Sequence, residues 1–251
     1  MENDNGDHSA ILEQAQAVMA RSAASWWTLS VRLDVTLQGL DGDFDEYSFR
    51  LHAVRHPIRV RLDLEAQGDD ADSSFPATFV TGGRTQWSWD GEELDLERIG
   101  PPWVGKIGQE MWAVSGMDLE PYDRENRGRS RTYPLGAQVL VCPAGYYQNF
   151  RLLSGREGDV GGRPAIVVLA ERTPGRPLFL SSIATPDANR AEIAIDRELG
   201  ILLGVWGYRD EQLIAWRTLT DVTLNEPLDE RLYLPPTLEE YFLSGAYKRR
   251  P

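Results

Sequence analysis

The stretch GILLGVWGY, residues 200–208, decides how the fold is interpreted. Its large apolar residues are typical of a buried strand, but Gly204 and Gly207 interrupt them. Glycine weakens a strand and marks a bulge, a bend or the close approach of another group. Packing within a twisted sheet is one explanation. The other, which we take as our prediction, is a sheet bent around a cavity.

The sequence on both sides of this stretch alternates between apolar and polar residues. The pattern is clearest in LSVRLDVTL (29–37), YSFRLHA (47–53) and RVRLDLEA (59–66). Such alternation favours an antiparallel sheet with one solvent-exposed face. Further strands and hairpins are predicted within residues 79–96, 166–169, 190–196 and 211–224. The fold class is therefore mainly β, with a strongly curved antiparallel sheet of about ten strands that forms an incomplete barrel.

Turn positions predict how the last strands pair. A loop over residues 197–200 places Ile195 opposite Leu202 and Ile193 opposite Gly204, and a turn over 209–212 places Trp206 opposite Ala215 and Gly204 opposite Arg217. One face of the sheet is then expected to carry eight residues: Ile193, Ile195, Leu202, Trp206, Tyr208, Leu213, Ala215 and Leu219.

Two segments are predicted to cover the concave face of this sheet. Residues 10–24 form a helix, capped by Asp7 or Ser9, with Ile11, Ala15 and Val18 on one side. Residues 100–141 are rich in Gly and Pro and read as an irregular covering insertion with a short helix over 108–116. We interpret residues 1–251 as one domain, with residues 1–8 disordered and residues 237–251 as a C-terminal tail.

Composition excludes several classes of function. The formal net charge of −13 opposes binding to nucleic acid or anionic membranes, although Arg124, Arg127, Arg129 and Arg131 form a local basic loop of unassigned role. No apolar run is long enough to span a membrane, and the acidic start MENDNGDHSA does not resemble a signal peptide. The expectation is a cytoplasmic protein, or an extracytoplasmic one if a leader has been removed.

No motif in the sequence indicates catalysis or a cofactor. His52 and His56 are too few and too poorly spaced to form a metal site, and no metal is expected. Cys142 is the sole cysteine, so no intrachain disulfide forms, and we interpret it as a buried, inert thiol. The eight tryptophans are either core residues or the lining of an apolar cavity in the curved sheet.

The order of several segments resembles that in the LolA-like superfamily of lipoprotein carriers, which includes the amino-terminal domain of RseB. These segments are RHPIRVRLDL, FVTGGRTQWSWDG, GRPAIVVLAE, EIAIDRELGILLGVWGY and LTDVTLNEPLDERLYLPP, within residues 26–236. The resemblance implies a half-barrel that encloses an apolar cavity for acyl chains. It carries no catalytic residue, because none of the matching segments contains one.

The resemblance, together with the bent strand, predicts binding of a lipid or another hydrophobic or amphiphilic small molecule in the cavity. The expected ligand contacts are Trp87, Trp112, Leu202, Trp206 and Arg217, without any cofactor. Arg217 would need a carboxylate, a backbone carbonyl or an anionic head group as its partner. The alternatives are a cytoplasmic biosynthetic enzyme of the VioE type, which steers a reactive intermediate, and an RseB-like regulator that binds a protein partner.

Overall fold

A computed structural model gives the structure of the protein. The described residues are 4–38, 42–55, 59–67, 78–82, 85–89, 94–98, 103–107, 110–114, 137, 139–145, 150–172 and 188–233.

The described residues form one large antiparallel sheet, one small sheet and few helices. The helix α1 is Asp4–Arg21. The strands are β1 (Thr28–Gln38), β2 (Phe44–Val54), β3 (Arg59–Gln67), β4 (Thr78–Gly82), β5 (Thr85–Trp89), β6 (Leu94–Arg98), β7 (Trp103–Ile107), β8 (Glu110–Val114), β9 (Phe150–Val160), β10 (Arg163–Arg172), β11 (Arg190–Asp196), β12 (Leu202–Arg209) and β13 (Gln212–Leu224). Short 3₁₀ turns lie at Ser22–Ala24, Pro143–Gly145 and Glu230–Tyr233.

Two meanders build the large sheet. Its strand order in the described part of the chain is β6-β5-β4-β3-β2-β1-β13-β12-β11-β10-β9, and β7 pairs only with β8. Neighbours along the chain are therefore neighbours in space, except where β1 pairs with β13. That pairing joins the N-terminal meander to the C-terminal one. The antiparallel, unclosed sheet with an N-terminal helix confirms the predicted fold class.

Helix α1 packs on one face of the C-terminal meander, which we call the helix face. Ile11 and Leu12 lie against Gly155 of β9, and the helix also contacts β10 and β11. Ala15, Val18 and Met19 are at most 2% exposed, so the predicted apolar side of the helix is confirmed. The opposite face of the sheet, which we call the open face, carries more polar side chains.

The hairpin between β11 and β12 lies against the C-terminal part of the helix. The buried carboxylate of Asp196 accepts hydrogen bonds from the backbone N–H groups of Glu198 and Leu199, at 2.9 and 2.8 Å, and pairs with Arg163. Gly200 closes the loop with φ +72°, and a Cβ there would lie 2.2 Å from the carbonyl oxygen of Val18. Only glycine satisfies both the left-handed backbone and this close approach.

The glycines within residues 200–208 lie beside irregularities in strand pairing. The β12–β13 register shifts between Gly207 and Tyr208, and the β11–β12 register shifts between Ala194 and Ile195, opposite residues 202–204. A β-bulge inserts an extra residue and bends its strand. Glycine at position 204 also has a steric explanation, because a Cβ added there would lie 2.3 Å from the indole of Trp206.

These bulges correct the predicted pairing. Tyr208 does face Leu213, and Ile195 does face Leu202, as the turn positions predicted. Beyond each bulge the register moves by one residue. Trp206 therefore faces Trp216 rather than Ala215, and Gly204 faces Thr218 rather than Arg217. The eight-residue face predicted from the turns is consequently wrong at Trp206 and Tyr208, which oppose Glu192 and Arg190 on the open face, and at Leu213, which opposes Tyr208.

Two predictions about the helical segments also need correction. Helix α1 begins at Asp4, so neither Asp7 nor Ser9 caps it, and residues 4–8 are helical rather than disordered. The short helix predicted over residues 108–116 is wrong for Glu110–Val114, which is a strand paired with Trp103–Ile107. Residues 137 and 139–141, at the end of the predicted insertion, are helical and buried in the core. The remainder of 100–141 and all of 237–251 lie outside the described residues.

Candidate functional site

A row of cross-strand neighbours on the helix face contains one buried charge in an apolar surrounding. Arg217 of β13 faces Val205 of β12 and Val35 of β1, and the row continues to Ile193 and Tyr47. Residues directly opposite each other in an antiparallel pair project from the same face. The four apolar members are at most 4% exposed, and Arg217 is 7% exposed. We call this set the helix-face row.

The burial of Arg217 has a chemical consequence. A guanidinium stays charged at any physiological pH, and a buried charge is stable only when it is paired and hydrogen-bonded. Arg217 is engaged in an interaction within the protein. An arginine in an apolar row presents donors that fit a carboxylate or a phosphate in bidentate geometry. This row is therefore the part of the helix face with the chemistry to orient an anionic group.

Leu202 lies on the same side of the sheet as the helix-face row. It faces Ile195 across the β11–β12 pairing and is fully buried, as are Ile195 and Ile193. The structure therefore brings Leu202 and Arg217, two of the sequence-predicted contacts, to one face.

Trp206 lies on the opposite face, away from Arg217. It faces Trp216 in β13 and Glu192 in β11, and its ring extends over Gly204. Successive residues of a strand project to opposite faces, so the one-residue register change moves Trp206 from the predicted helix face to the open face. The two residues expected to share a ligand are thus separated by the sheet.

The other two predicted contacts lie in strands whose side chains are outside the described structure. Trp87 belongs to β5 and faces Val80 and Leu96. Trp112 belongs to β8, in the small sheet, and faces Gly105. Their part in ligand contact stays a prediction.

A polar cleft of about 520 Å³ opens at the edge of the open face. It is lined by Glu171, Asn189, Arg190, Asp210 and Glu211. Arg190 pairs with Glu171 at 3.3 Å, and the side-chain amide of Asn189 donates to Asp210 at 3.1 Å. These groups are already arranged to give and accept hydrogen bonds. Nothing in the sequence had singled them out, because they come from three separate segments of the chain.

Cys142 occupies a buried position next to the end of α1. It is 5% exposed, and its neighbour Ala144 donates its backbone N–H to the hydroxyl of Ser22 at 3.2 Å. Burial raises the pKa of the Cys142 thiol, against smaller lowering effects from Ala144, Ser22 and Arg55. A thiol with a raised pKa is a poor nucleophile at neutral pH.

The described residues offer no metal site and no membrane-spanning helix. Among them, no group of three or more His, Cys, Asp or Glu side chains is placed to hold a metal ion. None of the helices that the structure describes combines the length and the apolar character needed to cross a bilayer.

The residues that the sequence analysis missed are the partners created by the bulges. Val205 and Val35 beside Arg217, and Trp216 beside Trp206, follow only from the true register. The signal was present, because glycine in a strand marks a bulge. One extra residue in β13, Ile214, opposite the step from Gly207 to Tyr208 gives the observed pairing.

The site thus belongs to an open antiparallel sheet covered on one face by an N-terminal helix, and several solved structures are similar to this chain. No protein-family profile and no curated protein matches the sequence. The similar structures include the MucA/MucB complex of Pseudomonas aeruginosa (14% identity, TM-score 0.44, 92% of this chain and 62% of that chain). They also include an uncharacterized conserved protein from Thermus thermophilus (10%, 0.46, 91% and 93%).

A LolA superfamily protein from Nitrosomonas europaea is also similar (9% identity, TM-score 0.36, 92% of this chain and 99% of that chain). The superfamily that the sequence resembles is therefore among the folds to which this structure is similar. The chain spans 62% of the matched chain of the MucA/MucB complex. Because each of these TM-scores is below 0.5, the likeness carries no functional conclusion, and any function must rest on the residues of this chain.

Proposed function

We propose that the protein binds an amphiphilic small molecule with an anionic head group, such as a fatty acid, on the helix face of its sheet. The observation that carries the proposal is the burial of Arg217 in an otherwise apolar row. An acyl chain would pack on the apolar members of the row, and its carboxylate would exchange with the present partner of the guanidinium.

The energetics favour such a ligand over a purely apolar one. Burial of apolar area contributes about 25 cal/mol per Å² and is not directional. A charge-assisted hydrogen bond to the guanidinium adds about 1.5–3 kcal/mol and fixes the orientation of the ligand. Leu202 and the buried core residues next to it supply the apolar part of this surface.

The experiment is a fluorescence titration with cis-parinaric acid and with its methyl ester. Wild-type protein is expected to bind the acid about tenfold or more tightly than the ester, because the ester lacks the charge that Arg217 recognises. The Arg217→Met variant keeps much of the side-chain volume and is expected to bind both forms equally. The matched control is Trp206→Leu, on the open face, which should retain the preference for the acid.

Two results would count against the proposal. One is the absence of saturable binding of either form to folded wild-type protein. The other is an unchanged preference for the acid in Arg217→Met protein whose melting curve remains cooperative. A biosynthetic enzyme and a regulatory binding protein stay alternatives from the sequence.

A further inference from the structure

The open face carries an aromatic strip that the proposed function does not use. Its central row runs across five strands, Glu46–Thr36–Trp216–Trp206–Glu192, with each residue directly opposite the next. Neighbouring strands are about 4.8 Å apart, so the two glutamates lie about 19 Å apart along the row. We call this row, together with Phe44 beside it, the aromatic strip.

The rings of the strip remain partly exposed. The Phe44 and Trp216 ring centroids are 5.2 Å apart with planes tilted by 47°, and Phe44 is 43% exposed. Trp206 and Trp216 are half-buried, with the Trp206 ring lying over Gly204. Large aromatic groups left partly exposed side by side on a sheet indicate an interaction surface.

Carboxylates that form no ion pair with another described residue lie at one end of the strip and beside it, at the β12–β13 turn. Glu192 is neutralised by Arg156, and Glu171 by Arg190 and Arg151. Within the part of the chain that the structure describes, however, Glu46, Asp210 and Glu211 form no ion pair. Glu46 is at one end, and the other two lie in the polar cleft at the β12–β13 turn. Charge complementarity therefore favours a cationic partner.

The turn that holds two of these carboxylates is itself unusual. Asp210 and Glu211 have φ values of +48° and +70°, and glycine, asparagine or aspartate is preferred in such turns. Glutamate at the second position keeps a charge where a less strained residue would fit. Tyr208, just before the turn, has its pKa raised by burial and, to a smaller extent, by the charge of Glu192.

From this juxtaposition we propose that the aromatic strip docks an extended, basic segment of a partner protein. Arginine or lysine side chains stack on the exposed faces of Trp206 and Trp216, as cations do on indole rings. Others pair with Glu46 at one end of the row and with Asp210 and Glu211 at the turn that follows β12. An extended chain rises about 3.3 Å per residue, so about six residues span the row. This interaction is independent of the ligand proposed for the helix face.

The test uses a capped seven-residue peptide of alternating arginine and serine and the full-length protein, measured by titration calorimetry. Wild-type protein is expected to bind the peptide saturably, and the Trp206→Leu and Trp216→Leu variants to bind it at least about tenfold more weakly. The matched control is Trp27→Leu, which removes an exposed indole elsewhere and should change the affinity less than about twofold. All these variants have the same net charge, so general attraction to an acidic protein affects them equally.

A second peptide separates charge from shape. Replacing each arginine with the uncharged isostere citrulline should abolish binding. If a tryptophan variant does not fold, Glu46→Gln serves instead and should weaken binding by about threefold to tenfold. Equal binding to all folded variants, binding of the citrulline peptide as tight as that of the arginine peptide, or no binding to wild-type protein would each overturn the proposal.

Discussion

Two neighbouring rows of the same sheet face opposite ways and have opposite chemistry. The helix-face row places Arg217 between Val205 and Val35, among side chains that are at most 4% exposed. One residue away, the aromatic strip places Trp206 and Trp216 between carboxylates on the open face. The comparison shows a charge buried among apolar groups on one side and apolar rings exposed among charges on the other. Burial alone favours apolar side chains in the interior and charged side chains at the surface, so both rows depart from the usual distribution.

Two glycines have different roles on the two faces. Gly200 allows α1 to approach the helix face, whereas Gly204 allows an indole to lie flat on the open face. The missing side chain at each glycine leaves space for one neighbouring group, the helix at Gly200 and the indole at Gly204. Substitution at these two positions therefore tests the two faces separately.

The largest effect is expected from Gly200→Ala. The new Cβ would meet the carbonyl oxygen of Val18 at 2.2 Å, and the left-handed backbone is unfavourable for alanine. We expect a loss of about 3–5 kcal/mol in the free energy of unfolding, measured by urea denaturation. Gly162→Ala is the control, since Gly162 also has positive φ (+77°) but no atom within 4 Å of its Cβ position. That variant should lose only about 1–2 kcal/mol. Equal losses would mean that α1 does not lie against Gly200.

A smaller effect is expected from Gly204→Ala on the open face. The indole of Trp206 would have to move away from the new methyl group, so the variant should lose about 1–3 kcal/mol of stability. In a Trp206→Leu background the same change should cost nothing or even stabilise by about 0.5 kcal/mol, because alanine is favoured over glycine in strands. The double-mutant cycle measures this coupling. An additive cycle would contradict the position of the ring.

The smallest expected effect is a pH dependence on the open face. Burial lowers the pKa of His52, with Arg61 and Arg50 acting in the same direction against Asp63. The unfolded state therefore binds the proton more readily, so the stability contributed by neutral His52 is present above its unfolded pKa and falls as the pH is lowered through that value. Between about pH 7 and about pH 5, wild-type protein should lose more stability than His52→Gln protein. Parallel losses in the two proteins would show that His52 does not titrate differently on folding.

Much of the fold follows from the alternation of residue types. The strands β1, β2 and β3 and the buried side of α1 were all predictable, because one buried face requires a period of two in strands and about 3.6 in helices. The hairpin at Asp196–Ile201 was also predictable in position, from its loop length and its glycine.

The candidate site was less predictable because it depends on register. The register shift between β11 and β12 moved Trp206 to the open face, and the extra residue of β13 opposite the Gly207–Tyr208 step placed Arg217 opposite Val205. The helix predicted over residues 108–116 shows a second limit of prediction from sequence. Their amino acids suit either a helix or a strand, and pairing with Trp103–Ile107 decides the matter. Contacts between distant segments, such as those lining the polar cleft, leave no local pattern in a sequence.

The central claim is that the amphiphile binds on the helix face. Its most direct test is photo-crosslinking with a diazirine-bearing fatty acid, followed by residue-level mass spectrometry of the labelled protein. We expect labels on helix-face residues such as Leu202 and Val205 and on the buried side of α1, with a loss of labelling in Arg217→Met protein. Labels concentrated on Trp206, Trp216 and Phe44, unaffected by Arg217→Met, would contradict the claim.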